Sequence, residues 1–146
     1  MAHTGVTLNG QGVKELIEHI LWKDKPLAYI IRAAFESKGT TFLTPPEFKQ
    51  QVGLMAHPKG GEITRHVHRP LERHLVGTSE VLIVRSGRCK IEIYNDSCEL
   101  VATRVLGPDD IVLMLGGGHG LRMLEDTVLL EVKQGPYTGM DEKVCF

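Results

Sequence analysis

The stretch "EVLIVRSGRCKIEIYND", residues 80–96, contains two apolar runs on either side of a glycine and ends in a polar segment. In its second run Cys89, Ile91 and Ile93 alternate with polar residues. Successive side chains of a β-strand point to opposite faces, so this alternation predicts a strand that buries one face and exposes the other. The polar segment that follows predicts a hairpin connection.

Short apolar runs of the same kind recur along the chain from residue 27, with Gly, Pro, Asp and Asn in the breaks. These runs are "LAYIIRAAF", "QQVGLMAH", "LVATRVLG", "DIVLMLGG", "LRMLED" and "TVLLEVKQG". Several short strands at regular spacing favour an antiparallel sandwich or barrel over a parallel sheet with crossover helices. We therefore predict an all-β fold.

The N-terminal part of the chain has a different pattern. Between Asn9 and Lys23, apolar residues recur at the spacing of one helix face, and they are Val13, Leu16, Ile17, Ile20 and Leu21. This spacing predicts a short amphipathic helix. The segment "GTTFLTPPEFKQ" carries adjacent prolines and should run over the surface as an extended arm. Residues 1–48 are thus expected to pack, as a helix, a strand and an arm, on a barrel of residues 49–146 within one structural domain.

Composition and charge argue against several classes of partner. The chain has 17 Lys and Arg against 18 Asp and Glu and only 5% aromatic residues, so no nucleic-acid partner is expected. The N-terminus lacks the pattern of a secretory signal, and no apolar run reaches the roughly 20 residues that span a bilayer. We therefore expect a cytoplasmic protein without membrane contact. The three cysteines have no metal-type spacing, which favours reduced thiols.

Two histidines one residue apart are the first candidate metal ligands. If "EITRHVH", residues 62–68, is a strand, His66 and His68 project from the same face. Two neighbouring imidazoles on an inward face need a partner for their ring nitrogens, and a divalent metal serves both. The alternative is an edge strand whose histidines are merely solvated.

Glu80 and His119 favour the metal hypothesis. Alternation within "EVLIVRSG" places Glu80, Leu82 and Val84 on one face, and His119 directly follows a run of glycines. Two imidazoles on one strand, a carboxylate on a second and an imidazole on a third could converge at one end of a barrel. Three nitrogens and one oxygen suit a first-row transition ion and leave positions for water or substrate.

The same residues resemble the two motifs of the cupin superfamily. The first motif runs glycine, five residues, His-x-His, a short gap, glutamate, six residues and glycine, and its counterparts are Gly60, His66, His68, Glu80 and Gly87. Eleven residues separate His68 from Glu80 where the common pattern has three or four, so we treat "RPLERHLVGTS" as a loop insertion.

The second motif is approximated by "GPDDIVLMLGGGHG", residues 107–120. Asp110, Gly117 and His119 match its aspartate, its later glycine and its histidine. Leu115 stands where proline is usual, and the spacing to the histidine is one residue shorter.

Beyond the motifs, the chain is similar to the small WbuC-type cupin metalloproteins over roughly residues 52–146, above all in the closing "LLEVKQGPYTGMDEKVCF". The resemblance implies a double-stranded β-helix, which is the cupin jelly-roll barrel, and a homodimer. It implies that His66, His68, Glu80 and His119 bind a divalent transition metal. It leaves open whether the ion is Fe, Mn, Ni or Zn, and which reaction it serves.

Lys133 and Tyr137 flank a Gly-Pro turn and are the candidate catalytic residues, with Tyr137 as acid or base. The alternative is a solvated lysine beside a packed tyrosine. We expect a metal-dependent isomerase, lyase or dioxygenase that acts on a small polar or sugar-derived molecule, such as a sugar or an organic acid. Two alternatives stay open, because fold alone does not choose an activity. One is a non-catalytic module that binds metal and a small ligand, and the other is a metal-free sugar epimerase or isomerase.

Overall fold

The computed structural model describes residues 15–146, except for the side chains of Met140 and Asp141. Its strands are β1 (Ile17–Trp22), β2 (Lys25–Ile31), β3 (Gly39–Phe42), β4 (Gly53–Ala56), β5 (Glu80–Ser86), β6 (Cys89–Tyr94), β7 (Leu100–Leu106), β8 (Ile111–Met114), β9 (Gly118–Met123) and β10 (Val128–Lys133). One turn of 3-10 helix, Gly139–Glu142, follows β10. Within the described residues there is no α-helix and hence no helix that could cross a membrane.

The strands form three antiparallel sheets, which confirms the all-β prediction. A five-stranded sheet has the order β1-β2-β8-β5-β10, a three-stranded sheet the order β7-β6-β9, and β3 pairs with β4. Each of the eight apolar runs identified in the sequence contributes a strand. The predicted hairpin after β6 is also present, where the Asn95 side-chain oxygen accepts hydrogen bonds from the backbone N–H groups of Ser97 and Glu99 at 2.9 and 3.0 Å.

The main core lies between the five-stranded and three-stranded sheets. On β6 the apolar residues at 89, 91 and 93 are buried and the polar residues between them are half-buried, as their alternation predicts. They pack against Leu82, Val84 and Val112 of the other sheet. Because this contact buries the largest group of apolar side chains in the described residues, it supplies most of the hydrophobic stabilisation.

The outer face of the five-stranded sheet has its own small core. Tyr29, Val81 and Leu113 point away from the main core and pack with Phe48 and Val52. The proline-containing segment therefore differs in part from the surface arm that the sequence predicts. Its first residues form β3, and the residues after them cover this face of the sheet because the sheet is apolar on both sides.

The predicted N-terminal helix is wrong over the described residues, since residues 17–22 form β1; residues 9–14 of that prediction lie outside the described part. Lys23 and Asp24 adopt positive φ values of 48° and 63° and close a tight hairpin to β2. A shift of register between Ile20 and Leu21 interrupts the pairing. This irregularity breaks the two-residue period of the strand, so the apolar residues fall at a spacing that resembles a helix face.

The predicted strand at residues 62–68 is also not formed. Residues 57–79 adopt no regular secondary structure and are almost entirely exposed. Ile63 and Val67 are the apolar residues of the predicted strand, and they are 55% and 88% exposed. Neither side chain gains burial, so the segment lacks the packing that stabilises a strand.

A buried charge network ties β1 and β2 to the three-stranded sheet. The Arg32 guanidinium is 8% exposed and donates to Glu18 Oε1 at 2.6 Å, while Arg104 Nε donates to Glu18 Oε2 at 2.6 Å. Burial alone would raise the pKa of Glu18, but the hydrogen bonds and charges of Arg104 and Arg32 lower it below its ordinary value. Glu18 is therefore held as a carboxylate between two guanidinium groups.

Asp110 completes this network at the turn that leads into β8. Its Oδ2 accepts from Arg32 Nη1 at 3.1 Å and from the Gly107 N–H at 2.9 Å, and its Oδ1 accepts from the Ala33 N–H at 2.9 Å. One buried carboxylate thus fixes a turn, the end of β2 and an arginine at once. These contacts give a structural reason for an aspartate at position 110 that does not depend on any motif.

Candidate metal centre

Glu80 is the first residue of β5 and lies on the inner face of the five-stranded sheet. It pairs with Met114 on one side and Lys133 on the other, and it is 9% exposed. Leu82 and Val84 share its face and lie in the main core, as alternation along the strand predicts. A carboxylate is therefore positioned at the end of an apolar interior, where a polar group needs a partner.

His119 supplies that partner from the opposite sheet. It lies on β9 and pairs with Ile93, whose side chain is in the main core. His119 Nε2 lies 3.1 Å from Glu80 Oε2. The carboxylate–imidazole pair bridges the two sheets at one end of the core, with the Glu80 side chain 11% exposed and that of His119 33% exposed. Two residues predicted from distant parts of the sequence are thus brought together.

Gly117 makes this placement of His119 possible. Its φ is +65°, and a Cβ atom at this position would collide with the Tyr94 carbonyl oxygen at the end of β6. Glycine alone adopts this conformation without strain and permits so close a backbone approach. The glycine run before His119 therefore shapes the start of β9.

The pair lies in a cavity of about 690 Å³. Its wall includes Glu80, His119, Met114, Glu92 and Tyr94 together with the glycines of residues 116–120. Residues 142–146 close another side. The size falls within the range of small-molecule sites, and polar and apolar groups line the cavity in similar measure.

Glu92 and Tyr94 are cavity residues that the sequence analysis does not identify. Tyr94 Oη donates to Glu92 Oε2 at 2.9 Å, and Lys90 Nζ lies 2.6 Å from Glu92 Oε1. The hydrogen bonds from Lys90 and Tyr94 lower the pKa of Glu92. The hydrogen bond between Tyr94 and Glu92 also raises the pKa of Tyr94. The signal that could have revealed them is the pairing of β6 with β9, which places Glu92 opposite Gly120 and Tyr94 opposite Gly118.

His66 and His68 form a second pair, on the irregular segment. Their ring centroids are 5.1 Å apart, and His66 Nδ1 lies 2.8 Å from the Thr64 carbonyl oxygen. Both side chains are exposed. Across the part of the chain that the structure describes, no group of three or more His, Cys, Asp or Glu side chains is close enough to hold a metal ion. The four predicted ligands therefore lie as two separate pairs.

Lys133 lies beside the first pair, and Tyr137 lies farther out. Lys133 Nζ is 3.6 Å from Glu131 Oε1, 3.7 Å from Glu142 Oε2 and 5.5 Å from the centre of the Tyr137 ring. Desolvation alone would lower the pKa of Lys133, but the nearby carboxylates of Glu131, Glu142 and Glu80 raise it. Lys133 is thus a stable cation at the strand end, while Tyr137 is 71% exposed.

Comparison with models of protein families, with curated proteins and with solved structures found no match. The similarity to cupins therefore rests on the sequence motifs. The geometry around Glu80 and His119 provides the independent argument about chemistry. A carboxylate and an imidazole in contact at a cavity wall supply either two metal ligands or one acid–base pair.

Proposed function

We propose that this chain is a cupin-type metalloprotein in which Glu80, His119, His66 and His68 bind one divalent transition metal. The full site forms when the irregular segment joins the sandwich and completes a double-stranded β-helix barrel. The observation that carries the proposal is the 3.1 Å contact of Glu80 with His119, which joins two sheets at the wall of a cavity. Three nitrogens and one carboxylate oxygen form a donor set that suits Fe, Mn, Ni or Zn.

The free edge of β9 supports the completion of the site. In the described sheet, β9 is the terminal strand, so the backbone groups of its outer edge have no strand partner there. Residues 62–68 paired with this edge, in the register that points the histidines inward, bring His66 and His68 beside His119. Residues 69–79 then connect the new strand to Glu80, and eleven residues span up to about 36–40 Å, which is ample.

The substrate in this proposal is a small polar or sugar-derived molecule that binds in the cavity. The ion supplies Lewis-acid polarisation of a carbonyl or hydroxyl group. Lys133 supplies positive charge beside Glu80. Tyr137, whose ring lies near Lys133, moves a proton once substrate binding has drawn the tyrosine into the site.

The test is elemental analysis of untagged protein purified without chelator or added metal. We expect near-stoichiometric transition metal in the wild type and in the Cys98→Ser control, because Cys98 is exposed in the hairpin after β6. We expect His119→Ala to lose the ion, since removing a ligand should weaken binding by more than the roughly 10–100-fold cost of losing an outer-shell partner. Wild-type protein that contains no metal and binds none on titration would contradict the proposal.

A second candidate is a metal-free sugar epimerase or isomerase that uses Glu80 and His119 as an acid–base pair. The observation that favours it is their direct contact, with the other two histidines elsewhere. The two candidates differ at His66. A metal enzyme loses metal and activity in His66→Ala, whereas an acid–base enzyme keeps its activity. A non-catalytic binding module loses metal in that variant but has no activity to lose.

A further inference from the structure

The last four described residues form a strap beside the cavity. The strap is Lys143, Val144, Cys145 and Phe146, and all four residues line the same cavity as Glu80 and His119. It follows the 3-10 helix and runs to the start of β9. Its two ends are held by different contacts.

The far end of the strap is an aromatic contact. The Phe146 ring lies edge-on to the Tyr94 ring, with centroids 5.1 Å apart and an interplanar angle of 85°. The ring also lies directly on the backbone of Gly118. A Cβ atom at Gly118 would come within 2.8 Å of Phe146 Cζ and 2.9 Å of Cε1, closer than carbon atoms pack. The bare glycine therefore forms a notch that the ring occupies.

The near end of the strap is anchored by Glu142. Its carboxylate accepts from the Thr138 N–H at 3.3 Å and lies 3.7 Å from Lys133 Nζ. The side chain is 14% exposed. The hydrogen bond from Thr138 lowers the pKa of Glu142. The polypeptide is thus fixed to the end of β10 just before the strap begins.

Little holds the strap between these ends. Val144 is 91% exposed, Cys145 is exposed, and Phe146 itself remains 68% exposed. Among the residues that the structure describes, no hydrogen bond ties residues 143–146 to the rest of the chain. Segments with few buried contacts open locally at low free-energy cost. Closure of the strap therefore depends on the single contact of Phe146.

We propose that the strap is a gate on the Glu80–His119 cavity, latched by Phe146 in the notch at Gly118. Release of the ring opens the wall formed by residues 143–146 and admits ligand, while Glu142 acts as the pivot. The inference rests on the proposed function only for the identity of the cavity as the functional site. Gates of this kind control access to sites that must exclude water during a reaction.

Gly118→Ala is the variant that releases the latch selectively. Gly118 is outside the left-handed region, so alanine is tolerated by the backbone, and the added Cβ collides only with the tip of the Phe146 ring. The next atom, Tyr94 Cβ, lies at an ordinary 3.6 Å. Gly120→Ala is the matched control on the same strand, because its Cβ would meet Glu92 Oε2 at 3.8 Å and nothing nearer.

The first measurement uses the metal-free chain labelled with ring-¹³C phenylalanine, because a fluorine on Cζ would itself enter the notch at Gly118. The chain has four phenylalanines, and Phe146→Leu assigns the resonance of interest. We expect the ring-proton shifts of Phe146 to be displaced by the Tyr94 ring in the wild type and in Gly120→Ala, and to lie at the values of free phenylalanine in Gly118→Ala. A wild-type resonance at the free value, or one unchanged by Gly118→Ala, would overturn the latch.

The second measurement tests the gate itself. Carbethoxylation of His119 by diethyl pyrocarbonate is followed by peptide mass spectrometry, with the exposed His57 as internal reference. We expect the His119 rate to rise several-fold in Gly118→Ala and Phe146→Leu and to stay at the wild-type value in Gly120→Ala. If the Phe146 ring is released in Gly118→Ala but the rate of His119 carbethoxylation does not change, the gate is refuted. Since no metal is present, failure of the proposed metal site leaves both results interpretable.

Discussion

Replacing Asp110 with alanine is expected to destabilise the fold by about 3–5 kcal/mol, the usual cost of removing one partner from a buried ion pair. The substitution removes the acceptor for two backbone N–H groups and leaves Arg32 without one of its carboxylate partners. Arg32 is only 7% exposed, so water does not replace the lost bonds freely. Urea-induced unfolding followed by circular dichroism measures the effect.

The matched control for this prediction is Asp96→Ala. Asp96 also pairs with a cation, Lys25, at 2.5 Å, but the two side chains are 67% and 53% exposed. Exposed ion pairs contribute about 0–1 kcal/mol, so this variant should unfold close to the wild type. Equal losses in Asp96→Ala and Asp110→Ala would show that burial of the Arg32 network does not matter.

Gly117→Ala is expected to cost at least about 2 kcal/mol and to displace His119. The left-handed backbone alone costs roughly 1–2 kcal/mol for a residue with a Cβ. The added collision with the Tyr94 carbonyl oxygen must be relieved by moving the start of β9, because the obstacle is backbone. His119 is two residues away, so its contact with Glu80 should lengthen.

Thermal unfolding and the heteronuclear NMR shifts of the His119 ring measure the two effects of Gly117→Ala. Gly118→Ala is the comparison, since its Cβ displaces only the end of a flexible side chain. We expect Gly118→Ala to retain the wild-type unfolding midpoint and His119 ring shifts close to those of the wild type. A Gly117→Ala protein as stable as Gly118→Ala would refute the argument that this glycine is required.

The sequence predicted the strands whose alternation reflects burial directly. The β6 residues Cys89, Ile91 and Ile93 alternate because one face meets the other sheet, and Glu80 shares the inner face of β5 for the same reason. The resemblance to the second motif singled out Gly117, whose positive φ of 65° is a property of its local backbone. These features depend on short-range periodicity and backbone sterics, which a single sequence carries.

Other features depend on irregular pairing or on distant partners. The hairpin at Lys23 and Asp24 lacks glycine and asparagine, and the register shift after Ile20 disrupts alternation, so β1 resembled a helix. The polar pair of Glu92 and Tyr94 became meaningful only when β9 placed glycines opposite them. Two of the three partners of Asp110, Ala33 and Arg32, are 77 and 78 residues away along the chain. No local pattern indicates such contacts.

The position of the two remaining histidines is the central question for function. His66 and His68 have the spacing of adjacent ligands on a strand, yet residues 57–79 form no regular secondary structure. Glu80 and His119, by contrast, are held in contact by two strands. Metal binding supplies free energy that orders such segments, because ligands and backbone become fixed together. The proposal therefore couples the folding of this segment to the binding of the ion.

X-ray absorption spectroscopy of the metal-loaded protein tests this coupling most directly. A single site with all four ligands predicts three imidazole nitrogens and one carboxylate in the first coordination shell, with one imidazole lost in His66→Ala and one in His119→Ala. A wild-type spectrum with a single imidazole, unchanged in His66→Ala, would contradict it, because the ion would then be bound without the histidines of the irregular segment.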